Sequence, residues 1–138
     1  METEYKEFES INFASTVDNL VQAESLVDRV CSTLSVKEDH YGNILIAVTE
    51  AVNNAIKHGN RENRDKKVSL AILNSNEAIE IIVKDQGVGF DFNNLPDPTA
   101  PENIEKEHGR GIFLMRTLAD EVTFDDNGRV VKMIFSKS

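Results

Sequence analysis

Two segments in the middle of the chain repeat apolar residues with period two, and they constrain the fold more than any other feature. Residues 66–73 read KKVSLAIL, and residues 77–85 read EAIEIIVKD. Period-two spacing is typical of a β-strand that buries one face. The short NSNE junction has the composition of a turn, so the two segments are predicted to form an antiparallel hairpin.

Helical periodicity precedes and follows this hairpin. A first helix is predicted within residues 15–34, where Ser15 and Asp18 have the spacing of a capping box. A second helix is predicted over residues 35–58, and it stops at a glycine. The segment GIFLMRTLADEV, residues 111–122, predicts a third helix.

The remaining predicted strands lie towards the two ends of the sequence. EYKEFESINF, residues 4–13, is typical of an edge strand, and VTFDDNGRVVKMIF, residues 122–135, of a hairpin around Asn127 and Gly128. The order strand, helix, helix, strand, strand, long loop, helix, strand, strand predicts an α+β fold. We expect a two-layer sandwich in which helices cover one face of a mixed, mostly antiparallel sheet.

Length and composition limit the class of protein. With 138 residues, 40% hydrophobic and 28% charged, the chain is predicted to form a single domain over residues 1–138. A net charge of -9 disfavours a nucleic-acid partner. The single cysteine, Cys31, excludes an internal disulfide and is expected to be buried as a small apolar residue. No signal-peptide pattern or membrane-length apolar run is found, so a soluble intracellular protein is expected.

The predicted second helix has two distinct faces. Within VTEAVNNAIKHGN, residues 48–60, the apolar side chains form a stripe that is typical of a core face. Glu50 and Asn54 lie one turn apart on another face of the same helix. Taken alone, such a pair is explained by solvent exposure. The order of this pair and the two glycine motifs described below supports a functional interpretation as well.

The segment VKDQGVGFDF, residues 83–92, combines an aspartate with two glycines. Asp85 ends a predicted strand, and Gly87 and Gly89 follow at alternate positions. Glycines there let the backbone turn sharply and let another group approach it closely. An ionised aspartate offers only acceptors, so it can bind a donor such as the exocyclic amine of adenine. A plain turn at a strand end is the alternative interpretation.

A long aperiodic loop leads to another pair of glycines. Residues 87–109 hold all three prolines, and a loop of this length usually marks a lid or a binding loop. Gly109 and Gly111 then flank Arg110 where the third helix is predicted to begin. Helix N-termini present free N–H groups to phosphates, and an arginine adds a charged donor. An ordinary helix start is the alternative.

The order of these motifs resembles the Bergerat-type ATP-binding fold of DNA gyrase, the heat-shock chaperone ATPase, histidine kinases and the mismatch-repair protein MutL. TEAVNNAIKHG is similar to the N-box of that superfamily, DQGVGF to its first glycine box and GRGIFLMR to its second. Within the superfamily, the chain most resembles the small stand-alone bacterial anti-sigma factors that act as serine protein kinases.

This resemblance implies a role for each matched residue. It identifies Glu50 as the general base, Asn54 as the ligand that holds Mg²⁺ against the phosphates, and Asp85 as the residue that binds adenine. The other matched positions are glycines and one arginine: Gly87 and Gly89 in the base-pocket turn, and Gly109, Arg110 and Gly111 at the phosphate-side end of an ATP lid at about residues 90–108. Mg²⁺ prefers oxygen ligands and bridges phosphates, which suits an asparagine side chain.

The resemblance also implies the function and the partners. We expect an ATP-dependent serine protein kinase and anti-sigma factor that uses ATP and Mg²⁺. Its implied partners are a sigma factor and an anti-anti-sigma protein of the STAS type, with a homodimer, a cytoplasmic location and no direct contact with nucleic acid or membrane. Two alternatives stay open: a non-catalytic ATP-binding module whose partner affinity depends on the nucleotide, and an α+β interaction domain without nucleotide.

Overall fold

The described part of the chain contains five strands and three α-helices. A computed structural model describes residues 4–88 and 107–137. The strands are β1 (Lys6–Ala14), β2 (Lys67–Asn74), β3 (Ala78–Lys84), β4 (Glu121–Asp125) and β5 (Val130–Ser136). The helices are α1 (Leu20–Thr33), α2 (Glu38–Asn54) and α3 (Glu107–Leu118). None of the helices in these ranges combines the length and apolar character needed to cross a membrane.

The five strands form one sheet in the order β1-β2-β3-β5-β4. The predicted hairpin pairs β2 with β3, Ile72 lies opposite Ile81, and the predicted edge strand is β1. The α+β fold with a mostly antiparallel sheet is therefore confirmed. Every neighbouring pair in the described sheet is antiparallel, so the parallel pairing that a mixed sheet requires is not found there. The reason is that the β4–β5 hairpin inserts β5 beside β3 with the opposite direction.

One face of the sheet and the inner faces of the helices form the core. Along β2, β3 and β5, buried side chains alternate with mostly half-buried ones on the opposite face. The buried strand residues include Val68, Leu70, Ile72, Ile79, Ile81, Val83, Val131, Met133 and Phe135. The helices add Leu26, Val27, Val30, Ile44, Ala47, Val48 and Val52. Burial of this apolar surface is the main favourable contribution to folding.

Cys31 lies in this core, as expected from the sequence. It is buried on the inner side of α1, and burial raises the pKa of its thiol to about 11, with a smaller effect from Asp28. The thiol therefore stays protonated at neutral pH and behaves as a small apolar side chain.

The start of α1 differs from the prediction. Ser15 does not cap the helix, because its hydroxyl donates to the Lys66 carbonyl at 2.8 Å, far away in sequence. A short 3-10 turn, Val17–Asn19, precedes α1 instead, and Thr16 makes no side-chain cap. Ser15 is fully buried, so its hydroxyl needs a hydrogen-bond partner inside the protein, and the Lys66 carbonyl provides it. The local spacing to Asp18 could not reveal this distant partner.

Asn60 ties three strand ends together. The end of α2 continues as a π-helical turn, Ala55–Gly59, and Asn60 follows it with only 1% of its surface exposed. Its Nδ2 donates to Ser15 Oγ at 2.7 Å and to the Lys67 carbonyl at 2.9 Å. Its Oδ1 accepts the Gln86 N–H at 2.7 Å. One side chain thus joins the ends of β1 and β3 to the start of β2.

Replacing Asn60 with alanine should destabilise the fold strongly. The change leaves buried groups without partners, and each such group costs about 1–3 kcal/mol. We expect Asn60→Ala to lower the free energy of unfolding by roughly 2–4 kcal/mol in urea denaturation. Asn63→Ala is the matched control, because the exposed Asn63 accepts the Asp65 N–H within the same connection. The control should lose less than about 1 kcal/mol, and equal losses would contradict the assignment.

Candidate functional site

A pocket opens where α2, α3 and the end of β3 meet the β4–β5 hairpin. It holds about 450 Å³ of empty space, its open mouth included. The apolar lining consists of Ala51, Ala55, Val83, Ile112, Met115, Phe124 and Val131, and the polar side chains are Asn54, His58, Asp85 and Arg129. An apolar wall with a few polar groups suits a small organic ligand.

Glu50, Asn54 and Gly111 form one polar corner at this pocket. Gly111 of α3 approaches the two α2 side chains so closely that a Cβ there would lie 2.8 Å from Asn54 Nδ2 and 3.0 Å from Glu50 Oε2. Asn54 is 8% exposed, and neither its Nδ2 nor its Oδ1 has a hydrogen-bond partner among the described residues. A buried amide without partners costs free energy, so Asn54 is poised to bind a polar ligand atom.

The predicted second face of α2 is therefore not a solvated face. Glu50 is half-buried and Asn54 is buried, although both lie outside the apolar stripe that contacts the sheet. The reason is tertiary: α3 packs over this part of α2 and covers it with Gly111. A Cβ at position 111 would force the Asn54 amide to shift and would crowd the Glu50 carboxylate.

Asp85 contributes a second polar group, held in a tight turn with Gly87. We call residues 85–88 the Asp85 turn. Asp85 Oδ1 accepts the Gly87 N–H at 2.8 Å. A Cβ on Gly59 would lie 2.5 Å from the Asp85 Cγ, and a Cβ on Gly87 would overlap the Gly59 carbonyl. Gly87 requires glycine because its backbone touches the Gly59 backbone directly, and Gly59 requires glycine because the Asp85 carboxyl group occupies the place of its side chain.

The Asp85 carboxyl group is partly withdrawn from water. Burial raises the pKa of Asp85 above its usual value, while the Gly87 N–H and the Arg129 charge lower that pKa in part. The folded state therefore holds the Asp85 proton more tightly than the unfolded chain does. By linkage, the ionised carboxylate lowers folding stability at neutral pH. A partly buried carboxylate with a perturbed pKa in a pocket is typical of functional sites.

The sequence-based set of site residues omits two side chains that hold the Asp85 turn. Arg129 Nε donates to the Gly87 carbonyl at 2.6 Å, and the Arg129 carbonyl accepts the Asp85 N–H at 2.9 Å. Asn60 accepts the Gln86 N–H on another side of the turn. The Arg129 contact joins residues 42 positions apart, and no local pattern signals such a pair.

The other predicted site residues lie on α3 or outside the described part of the chain. Gly109 and Arg110 belong to α3 and immediately precede Gly111. The prediction that the helix begins at these glycines is wrong, because α3 already includes Glu107. Packing of Gly111 against α2 offsets the low helix propensity of glycine. Gly89 and residues 90–106 of the predicted lid lie outside the described residues.

A family model described as the histidine kinase-like ATPase domain matches residues 13–135. The matched range runs from the end of β1 into β5 and includes every predicted site residue. It therefore covers most of the chain.

Proteins named serine-protein kinase RsbW are similar to this chain in sequence. The protein from Staphylococcus epidermidis is 37% identical over 97 residues, which cover 64% of this chain and 61% of that protein. The protein from Bacillus subtilis (strain 168) is 32% identical over 107 residues, which cover 73% of this chain and 67% of that protein. The chain thus spans less than two thirds of the length of the staphylococcal relative.

A solved structure has a similar fold. The crystal structure of the RsbU and RsbW domains of Rv1364c from Mycobacterium tuberculosis superposes with a TM-score of 0.64. The superposition covers 94% of this chain and 32% of that chain at 12% identity, so the similarity concerns the fold alone. Since the family match extends over nearly the whole described fold, the chain belongs to the family of histidine kinase-like ATPase domains.

Proposed function

We propose that the chain is an ATP-dependent serine protein kinase that also acts as an anti-sigma factor. The observation that carries the proposal is the buried Asn54 amide without a partner, which lies beside the Glu50 carboxylate at a pocket that also contains Asp85. Similarity to proteins named serine-protein kinase RsbW supports the kinase activity. We also propose that residues 1–138 form a single domain, in keeping with the family match to residues 13–135.

In this proposal, Asp85 recognises the adenine base. A carboxylate accepts hydrogen bonds and donates none, so it pairs with the exocyclic amine of adenine and not with the carbonyl oxygen of guanine. The apolar lining beside it, which includes Ile112 and Met115, would contact the flat faces of the base. Gly87 lets the turn pack against the Gly59 backbone, which holds Asp85 at the pocket.

Asn54 would hold the Mg²⁺ ion that accompanies ATP. Mg²⁺ keeps several waters and binds phosphate oxygens, so it needs few protein ligands. The residues fit this demand, because Asn54 Oδ1 is buried and has no partner among the described residues. Among the side chains that the structure describes, no three from His, Cys, Asp or Glu cluster to form a metal site of their own. When bound, the ion would offset the negative charge of the phosphates.

The first turns of α3 would bind the phosphate groups. Gly109 has no side chain to block an approach to the backbone, and Gly111 brings the same helix directly beside Asn54. The exposed Arg110 between them supplies a cationic donor that suits phosphate oxygens.

Glu50 would act as the general base. Its carboxylate would accept the proton of a serine hydroxyl while the serine oxygen bonds to the γ-phosphorus of ATP. The bond from that phosphorus to the β,γ-bridging oxygen would break and release ADP. The position of Glu50 one helical turn from Asn54 supports this role, because both side chains face Gly111.

The proposed partners are a sigma factor, which the chain would sequester, and an anti-anti-sigma protein of the STAS type. A serine of the anti-anti-sigma protein would accept the phosphoryl group. The bound nucleotide would decide which partner the chain retains. A homodimer and a cytoplasmic location belong to the same proposal, which rests on similarity to the serine-protein kinases named above.

A non-catalytic nucleotide-binding module is the second candidate function. The observation in its favour is the close approach of Gly111 to Glu50, which limits the room for a substrate hydroxyl beside that carboxylate. Such a module needs Asn54 and Asp85 but has no need of a base. Glu50 therefore separates the two candidates.

The proposed contact with adenine predicts the effect of changing Asp85. Asp85→Asn should weaken ATP binding about 10- to 100-fold in calorimetry, because an amide donor can then face the adenine amine. The same change removes a partly buried charge, so the free energy of unfolding without nucleotide should not fall at pH 7. Asp125→Asn is the control, since Asp125 pairs with Lys132 at the surface. Equal binding of ATP and GTP by the unmodified chain would refute the assignment.

The proposed roles of Asn54 and Glu50 predict different effects when each residue is changed. Asn54→Ala removes an oxygen ligand, so ATP·Mg²⁺ affinity and serine phosphorylation should fall together. Glu50→Gln keeps the shape but cannot take a proton, so phosphorylation should fall by about 10²–10⁴-fold while ATP affinity stays. The readouts are nucleotide affinity and transfer of labelled phosphate to the anti-anti-sigma protein. Normal transfer by Glu50→Gln would rule out the general-base role.

A further inference from the structure

The Asp85 turn is held by a side chain from the neighbouring strand end, because Val130 at the start of β5 pairs with Lys84 at the end of β3. Arg129 precedes β5, and its Nε donates to the Gly87 carbonyl at 2.6 Å while Nη2 donates to the Val88 carbonyl at 3.3 Å. Its main-chain carbonyl accepts the Asp85 N–H at 2.9 Å. One residue therefore contacts three of the four residues of the turn, and it also lines the pocket.

We infer that Arg129 is a positioning residue of the nucleotide site, which fixes the Asp85 turn so that the carboxylate faces the bound base. The inference rests on the proposed binding of ATP. It assigns to Arg129 no contact with the reacting atoms. Its action is on the backbone that carries Asp85.

The turn needs such support because its own sequence is flexible. Gly87 must be glycine to fit against Gly59, and glycine leaves the backbone free to adopt many conformations. Asn60 restrains the turn through the Gln86 N–H, on the side of the β2 strand. The carbonyls of Gly87 and Val88 are restrained by Arg129. With both restraints, the Asp85 carboxylate is ordered before a ligand arrives, which lowers the entropic cost of binding.

Arg129 is itself held in place from the hairpin. Its Nη1 donates to the Asp126 carbonyl at 3.1 Å and to Asp126 Oδ1 at 3.2 Å. The connection reaches this geometry through left-handed backbone angles, with φ of 51° at Asp126, 57° at Asn127 and 89° at Gly128. Asp126 in the hairpin connection thus orients the guanidinium group, which donates hydrogen bonds to the Asp85 turn. Lysine cannot make this set of hydrogen bonds, because its ammonium group lacks the several N–H donors that the planar guanidinium holds in a fixed arrangement.

The strand that follows Arg129 provides a matched control cation. Lys132 lies three residues further along and pairs with Asp125 at 3.3 Å, with 43% of its side chain exposed. Lys132 and Arg129 carry the same charge on the same hairpin. Lys132 does not line the pocket, so neutralising it tests the effect of charge alone.

The experiment compares Arg129→Gln and Arg129→Lys with Lys132→Gln. Hydrogen exchange of the Gln86 and Gly87 amides without nucleotide reports the order of the turn, and steady-state kinetics report KM for ATP and kcat. Arg129→Gln should speed exchange at both amides by about tenfold or more. It should raise KM for ATP by roughly 10- to 100-fold and leave kcat within a few-fold. Arg129→Lys should fold normally and recover little of the affinity, whereas Lys132→Gln should match the unmodified chain.

Several results would overturn the inference. Unchanged amide exchange and unchanged KM in Arg129→Gln would show that the turn does not depend on Arg129. A fall in kcat at constant KM would show that Arg129 acts on phosphoryl transfer and not on binding of the base. If Arg129→Gln does not fold, normal ATP affinity in Arg129→Lys would still refute the positioning role. Failure of the unmodified chain to bind ATP would reject the proposed function together with this role, whereas ATP binding without serine phosphorylation would reject only the kinase activity.

Discussion

The direct contact between Gly59 and the Asp85 turn is the interaction on which the pocket depends. At this point the end of α2 touches the end of β3 with no side chain between them, and the Asp85 carboxyl lies against Gly59. The π-helical turn that ends at Gly59 brings its backbone to the Asp85 turn. The next residue, Asn60, is hydrogen-bonded to the start of β2 and to Gln86 after β3. The helix layer and the sheet are thereby joined at the site itself.

The site holds two arrangements that oppose stability. Asn54 is buried without a partner in the described structure, and burial raises the pKa of Asp85, so that its ionised form is disfavoured. Both arrangements destabilise the ligand-free fold. A metal-bound phosphate would give Asn54 a partner, and a donor on the base would stabilise the ionised Asp85. Nucleotide binding should therefore stabilise the chain by mass action.

Much of the fold could be predicted because local spacing reports burial. The period-two pattern located the buried faces of β2 and β3, and the apolar stripe of α2 is buried as its spacing implied. Asp85 and Gly87 could be found as well, because a strand end followed by glycines marks a turn that allows close approach. These are features of continuous sequence.

The errors and omissions involve contacts between distant residues. Ser15 has the spacing of a helix cap, yet its hydroxyl binds Lys66 after folding. The Glu50 and Asn54 face looks solvated until α3 covers it. Arg129 follows an ordinary hairpin turn, and only the sheet order β3-β5 brings it to the Asp85 turn. No window of sequence contains both members of these pairs.

The central claim is that one nucleotide engages Asn54 and the Asp85 turn together. The most direct measurement is an NMR titration of isotope-labelled protein with ATP and Mg²⁺, following the Asn54 side-chain amide and the Gly87 backbone amide. We predict that both resonances shift and saturate together at one equivalent of ATP, and that omitting Mg²⁺ reduces the shift at Asn54 far more than at Gly87. Shifts at neither resonance, or saturation at different nucleotide concentrations, would contradict the account.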